Sequence, residues 1–528
     1  MTGLGKGANE ENTLILGKEG SIPRIPKEPI RHKLLDLVGD LALLGAELQA
    51  HVIATRSGHK MNAALVRKLV ELMEPLHAAD IAYTMHPYTN MRLHEEKGPM
   101  IMSHGDGAKV YDTEGKEYIE ALAGLWSVAV GFSETRLADA AYEQLKKLPY
   151  YHTFAHKSHE PSIRLAEKLV EMTPEGLNKV FFTNSGSEAN DTVVKMVWFL
   201  NNGLGRPEKK KFLSRNKAYH GITIASGSLT GLPANQKDFD LPAIPVTHLT
   251  TPHYWKFAEE GETEAEFTAR LLKELEDTII AEGPETIGAF IGEPVMGAGG
   301  VMVPPEGYWP GVAEICAKYD ILLVADEVIN GFGRTGKPFG CERFGFTPDI
   351  LVTSKQLTSS YMPLAAIVVN DKVYNAIADN TAKLGTFGHG FTGSGHPVAC
   401  AVGLENLKII EEKDLMGNAE RLEPMFQAGL RKFADHPLVG EVRGVGLIAG
   451  VELAKDREKR EAFEPAGSMA AKVVALCAEE GLIVRNVYET VAFCPPLIVT
   501  EDDITEILAR FGRALDRALE WAKSEGML

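Results

Sequence analysis

Short apolar runs alternate with stretches of helical periodicity through the middle of this chain, and that alternation constrains its fold more than any other feature. NKVFFTNSG, KFLSRN, AIPVTHL, TIGAFIGEPV and ILLVADEV read as strands, and Ile350-Leu351-Val352 reads as one more. EANDTVVKMVWFLNN, ARLLKELEDTIIAEG and GYWPGVAEICAKYD read as helices between them. The strands are apolar along their whole length instead of at every second residue. Strands of that kind are covered on both faces, which predicts an α/β fold with a large, mostly parallel sheet. Beyond residue 400 the pattern changes to long helices followed by LIVRNVYETVAFCPPL, read as paired strands, and a closing helix. That block predicts a smaller α+β domain. No internal repeat and no low-complexity run interrupts the chain.

Chemistry gathers at the ends of the predicted strands. Lys355 follows Ile350-Leu351-Val352 in DILVTSKQLTSSYMPLAA, flanked by small polar residues. Asp326 ends the buried strand LLVADEV, where α/β folds place ligands. Val328 points to the same side two residues on. In NSGSEAND, Ser185, Gly186 and Ser187 lie between a strand and a helix, so free backbone N–H groups and a hydroxyl are offered to an anion. Tyr219 and His220 precede a glycine after another strand, and an aromatic there can lie flat on a heteroaromatic ring. Glu293 in IGEPV is a second strand-end acid, and Thr392 carries a hydroxyl among the glycines of HGFTGSGHP. An imine-forming lysine, a carboxylate for a pyridine nitrogen and an anion-binding helix start are the parts of a pyridoxal 5′-phosphate site.

NSGSEAND, YHG, GEPV, ADEVINGFGRTG, SKQLTSSYMPLAA and HGFTGSGHP occur in this order, and together they resemble the class III aminotransferases over about residues 80–528. That family has the fold type I architecture of pyridoxal-phosphate enzymes. The resemblance implies residues 77–140 as the first part of a small domain, 141–395 as the large cofactor domain and 396–528 as the rest of the small domain. It implies Lys355 as the imine lysine and, once displaced, the base that moves a proton between substrate carbon and cofactor. Asp326 would hold the pyridine nitrogen, Tyr219 and Val328 the ring faces, and Gly186 and Ser187 the phosphate. Thr392 would reach the phosphate of a neighbouring subunit, which implies a homodimer or a tetramer built from dimers. Trp126 in AGLWSVAVGF and Arg485 in LIVRNVYET match an early tryptophan and a late arginine of the amine:pyruvate subgroup, with Tyr151 a neighbour in the pocket. Arg485 can fork onto a keto-acid carboxylate. Gly393 departs from the family, where many relatives carry a bulky aromatic, and implies a wider entrance. The expected activity is transfer of an amino group from a primary amine or ω-amino acid to pyruvate. A 2-oxoglutarate-linked transaminase or an aminomutase of the same fold is the alternative.

Residues 1–76 read differently. GLGKGANEEN and a short strand, TLIL, are followed by the proline-punctuated IPRIPKEP. RHKLLDLVGDLALLGAEL and MNAALVRKLVELMEPL have helical spacing, and HVIATRSGH reads as a strand and turn. RHKLLDLVGDLALLG with TRSGHKMNAALVRKL resembles the C-terminal end of UDP-3-O-acyl-N-acetylglucosamine deacetylase, a zinc enzyme. The resemblance assigns His32 and Asp36 as zinc ligands and His59 of Ser57-Gly58-His59 as a catalytic aid. The family's third zinc-binding histidine and its glutamate belong to an earlier region, so a helical appendage carrying vestigial ligands is expected, with no metal needed for the main site.

A formal charge of −17 argues against nucleic acid or an anionic membrane as partner. The most apolar long stretch, Leu34 to Ala54, is broken by Asp36, Asp40 and Glu47. The five cysteines are odd in number and far apart, which predicts reduced thiols and a cytoplasmic protein.

Overall fold

A computed structural model describes residues 28–43, 58–73 and 75–528. TLIL and HVIATRS, expected as strands, lie outside the described residues, as does Ser57. The chain divides into two compact units, one ending at Met102 and one running from Ser103 to Leu528. In the first, helices Glu28–Ala42 and His59–Met73 pack on each other. They match the expected helices RHKLLDLVGDLALLGAEL and MNAALVRKLVELMEPL where these fall within the described residues, residues 44–48 of the first and 74 of the second lying outside them.

The second unit is built on a seven-stranded sheet. In chain order its strands are β1 (Leu177–Thr183), β2 (Lys211–Arg215), β3 (Val246–Leu249), β4 (Ile287–Gly292), β5 (Leu322–Asp326), β6 (Ile350–Thr353) and β7 (Ala365–Asn370). Their order across the sheet is β1-β7-β6-β5-β4-β2-β3. The pairs β6–β5, β5–β4, β4–β2 and β2–β3 are parallel. β7 is antiparallel to both its neighbours, β1 and β6. The mostly parallel α/β fold is thus observed, with one reversed strand that the apolar pattern does not reveal.

Burial on both faces follows the period of two. Phe212, Ile291, Val324, Ile350 and Val352 pack with Val193, Val197 and Leu200 of the helix Gly186–Gly203. Leu213, Phe290, Leu323, Ala325 and Leu351, the alternate residues, pack with Leu271, Leu275, Val312 and Cys316 on the other side. Each such side chain gains about 1.5–3 kcal/mol on leaving water, so slipping a strand by one residue would exchange two good packings for two poor ones.

Two four-stranded sheets complete this unit. One joins Met102–Asp106, Lys109–Asp112 and Glu117–Glu120 to Leu482–Ile483, and the other joins Val439–Val445, Ile448–Leu453, Thr490–Phe493 and Arg485–Val487. The expected pairing within LIVRNVYETVAFCPPL is present, with Arg485 opposite Ala492. All five cysteines are free and buried. Among the described residues no helix is long and apolar enough to cross a membrane.

Candidate active site

The C-terminal ends of β5 and β6 and the start of the helix Gly186–Gly203 enclose a cavity of about 120 Å³. Gly186, Ser187, Tyr219, His220, Glu293, Asp326, Val328 and Lys355 all line it. The fold therefore brings eight of the residues singled out in the sequence into one place. Asn190, Gly221, Ile329 and Ser354 line it as well.

Lys355 begins a short 3₁₀ turn directly after β6, with a φ of 41°. A lysine in the left-handed region costs about 1–3 kcal/mol unless its surroundings hold it there. They do. Ser354 Oγ donates to Leu364 O at 2.9 Å, and Gln356 Nε2 donates to Ile329 O and Gly331 O at 2.8 and 3.0 Å. Asn406 Nδ2 donates to Gln356 O at 2.8 Å, and Ser359 Oγ donates to Asn406 Oδ1 at 2.7 Å. The Lys355 side chain makes no hydrogen bond or ion pair among the described residues, while its carbonyl accepts the Thr358 and Ser360 N–H groups at 3.3 and 3.2 Å. Burial, opposed by Asp326 and Glu293, lowers its pKa to about 8. About a tenth of the amine is then neutral at pH 7 and half at pH 8, far more than for an ordinary lysine, as a nucleophile and proton acceptor requires.

Asp326 is the end of β5 and is held from three sides. His220 Nδ1 donates to its Oδ2 at 2.8 Å, and Asn190 Nδ2 donates to the same oxygen at 2.9 Å. Oδ1 accepts the Val328 N–H at 3.2 Å and has lone-pair capacity left. Asn190 also donates to His220 O at 2.7 Å, so it locks the two residues together. Sequence reasoning missed Asn190. The available signal was its place four residues after Gly186, on one helical face with the anion-binding start.

Glu293 ends the strand β4 region. Its carboxylate accepts the Tyr219 N–H and the Gly297 N–H, each at 3.0 Å, and burial raises its pKa. It fixes the backbone that carries Tyr219 instead of facing the lysine alone. Ser185 caps the helix, accepting the Glu188 N–H at 3.2 Å. This leaves the Gly186 and Ser187 N–H groups at the helix start without intrahelical partners. Ser187 Oγ accepts the Ile222 N–H at 3.2 Å. Gly221 has a φ of 128°, and a Cβ there would come within 2.6 Å of Ser187 Oγ.

Four further residues singled out in the sequence, Trp126, Tyr151, Thr392 and Arg485, do not line this cavity. Trp126, with a φ of 63°, is buried in an apolar cluster with Val295, Ile329 and Cys494, behind cavity-lining Ile329. Tyr151 is exposed and stacks on His152 at 5.0 Å. Thr392 is exposed, and its carbonyl accepts the Tyr150 hydroxyl at 2.8 Å. Arg485 is half-buried, its guanidinium makes no hydrogen bond or ion pair among the described residues, and it contributes to the low pKa of Lys355.

In the N-terminal unit, His59 Nδ1 donates to Asp40 Oδ2 at 2.9 Å, and its Nε2 is 3.8 Å from Asp36 Oδ1. His32 and Asp36 both fall in the helix Glu28–Ala42.

The cavity suits pyridoxal 5′-phosphate by its shape and donor set. A Cβ at Gly186 would lie 3.3 Å from Val328 Cγ2, closing the slot between helix start and β5. Anion donors, a strand-end carboxylate and an unpartnered amine line the remaining space. Fold and cavity together define a fold type I, pyridoxal-phosphate-dependent transferase. The class-III aminotransferase family matches residues 91–515, and the chain belongs to that family. The UDP-3-O-acyl N-acetylglycosamine deacetylase family matches residues 1–71. The omega transaminase of Pseudomonas jessenii, solved in complex with PMP, is 59% identical, with a TM-score of 0.84 over 84% of this chain and 98% of its own. A transaminase solved with L-alanine is 56% identical, with a TM-score of 0.79 over 80% of this chain and 99% of its own. Gamma aminobutyrate transaminase 1, mitochondrial, of Solanum lycopersicum is 48% identical over 83% of this chain and 86% of its own.

Proposed function

We propose that this aminotransferase moves the amino group of a primary amine or ω-amino acid to pyruvate, forming alanine. The observation that carries the reading is the guanidinium of Arg485, without a partner among the described residues and near enough to Lys355 to depress its pKa. A guanidinium left without a carboxylate inside the protein is ready to take one from a substrate. The relative solved with L-alanine supports the same acceptor. Bound pyridoxal phosphate supplies a ring that takes up electrons from the substrate carbon. Asp326, oriented by His220 and Asn190, would keep the pyridine nitrogen protonated. Gly186 and Ser187 would hold the phosphate, and Tyr219 and Val328 would lie against the ring. Lys355 Nζ moves the proton at the reacting carbon. Arg485 orients the keto-acid carboxylate and must turn aside for donors that lack one.

The working unit proposed is a homodimer in the cytoplasm. Thr392 stands on an exposed loop away from its own cavity, which supports its use on a neighbouring copy. A cleft of about 1270 Å³ lined by Phe154, Phe182, Phe387 and His389 supports the same reading, since it offers a partner an aromatic seat. The five free thiols support a reducing compartment.

The gamma-aminobutyrate transaminase relatives favour an ω-amino acid as one donor. They also keep 2-oxoglutarate as the alternative acceptor. A panel of amines, including γ-aminobutyrate, assayed with pyruvate and with 2-oxoglutarate tests the proposal. Alanine formation at the higher kcat/KM supports it, and faster glutamate formation overturns it.

A further inference from the structure

Among the described residues, three metal-ligand side chains converge at two places. One is already filled. His253, Glu441 and Glu452 surround Arg443, whose Nη1 and Nη2 reach the two carboxylates at 2.6 and 2.7 Å. A guanidinium supplies the positive charge there, and its five donors leave no space for an ion.

The other cluster lies in the N-terminal unit. Asp80 is in the helix Pro75–Tyr83, His94 in the helix Met91–Lys97, and His86 in the turn between them. Both histidines aim Nε2 at a single atom: His86 is 2.8 Å and His94 2.9 Å from Asp80 Oδ2. The imidazole rings are 4.3 Å apart and tilted by 42°. All three ligand atoms fall within 4.8 Å of one another. The side chains are shielded but not sealed, at 20% exposure for Asp80, 30% for His86 and 13% for His94.

We propose that Asp80, His86 and His94 form a binding site for a borderline divalent cation, with Zn²⁺ the best match. Two imidazole nitrogens and one carboxylate oxygen are a donor set that suits zinc, and water can take the fourth position on the exposed side. Zinc bonds of about 2.0–2.2 Å place tetrahedral ligands about 3.3 Å apart. The two N–O separations would each open by about 0.5 Å, within the reach of small side-chain rotations. A bound ion would tie two short helices to the turn between them, adding to their few intrahelical bonds.

The test is equilibrium dialysis of the full-length holoenzyme against Zn²⁺ alone, without substrate amine, followed by metal analysis. One zinc per chain is expected. His86→Gln and His94→Gln should each weaken it by at least ~10-fold, the loss seen even for outer partners of metal ligands. His59→Gln reports on the separate Asp36–Asp40–His59 cluster and should leave binding unchanged. X-ray absorption on the zinc-loaded wild type should show two imidazoles and oxygen. No uptake, equal uptake by all variants, loss in His59→Gln, or a zinc shell lacking imidazole overturns the proposal.

Discussion

His220 Nδ1 lies 2.8 Å from Asp326 Oδ2, and both side chains are buried. The carboxylate accepts, so Nδ1 carries the proton, and Nε2 has no hydrogen-bond partner among the described residues. Asn190 donates to the same oxygen and to the His220 carbonyl. The carboxylate that faces the cavity is thus aimed by two residues that sequence spacing separates by 30 and 136 positions from Asn190.

Asn190→Ala removes one hydrogen bond to a charged acceptor, worth about 1.5–3 kcal/mol, or roughly 10–100-fold in an equilibrium constant. The affinity of the apoprotein for pyridoxal phosphate should fall by that factor. Absorbance titration with the cofactor measures it. An unchanged Kd would show that His220 alone aims Asp326.

Lys355 is kept largely desolvated, with a pKa of about 8. The neutral amine is the reactive form, so cofactor uptake by apoprotein should speed up about tenfold per pH unit below that value and level off above it. The same shift has a stability consequence. Because the folded pKa lies below the ordinary lysine value, the unfolded chain binds more protons between the two. Apoprotein stability should therefore rise with pH from about 8 towards the ordinary lysine pKa. Lys355→Met should lose both dependences while the protein still folds. Stopped-flow absorbance and denaturant melts read the two effects. A reconstitution rate still climbing at pH 10 would mean that the amine is not desolvated in solution.

Much of this was legible in the sequence, for a physical reason. A strand buried on both faces must be apolar throughout, so β4, β5 and β6 announced themselves, and Asp326 and Lys355 at their ends stood out by contrast. The reversed strand β7 did not, because its direction is set by the short link from Lys355 to Ala365 and not by its own residues. Asn190 was hidden inside a helix, where a buried amide looks like any surface asparagine until its partner strands are placed. Trp126 and Tyr151 depend on loop conformation, with positive φ at Ala123, Trp126 and Ala155, and composition does not encode loop paths. The Asp80–His86–His94 convergence needed the turn between two helices to be known.

Arg485→Ala tests the acceptor reading. A forked guanidinium–carboxylate contact is charge-assisted, and its loss should cost about 1.5–3 kcal/mol. The kcat/KM for pyruvate should drop roughly 10–100-fold, while a simple aldehyde acceptor should change by less than about threefold. Equal losses with both acceptors would assign Arg485 a structural role in the strand Arg485–Val487.

Gly393 has room for a Cβ only 3.2 Å from Asn184 Oδ1, whose amide is tied to Glu188. Gly393→Tyr should fill space beside the loop that carries Thr392. Bulky amine donors should lose more kcat/KM than small ones, by about tenfold for the size of group a hydrophobic pocket distinguishes. A donor series of increasing size checks this, and a uniform change across the series would remove Gly393 from the entrance.

Residues 1–76 can be removed as a test of which part of the chain builds the site. Every residue lining the cofactor cavity falls between Gly186 and Lys355, inside the unit that begins at Ser103. The hydrogen bonds that hold Asp326, Glu293 and the Lys355 turn have both partners in that unit. The truncated protein should therefore bind pyridoxal phosphate with unchanged affinity and keep its turnover within about twofold, since distant, unshared contacts contribute independently. The Asp40–His59 ion pair disappears with the segment and takes no cavity contact with it. Cofactor absorbance and alanine formation by the truncated enzyme give the answer. If it no longer holds cofactor, the N-terminal segment is part of the folding unit, and its likeness to a deacetylase fragment conceals a structural role in the aminotransferase.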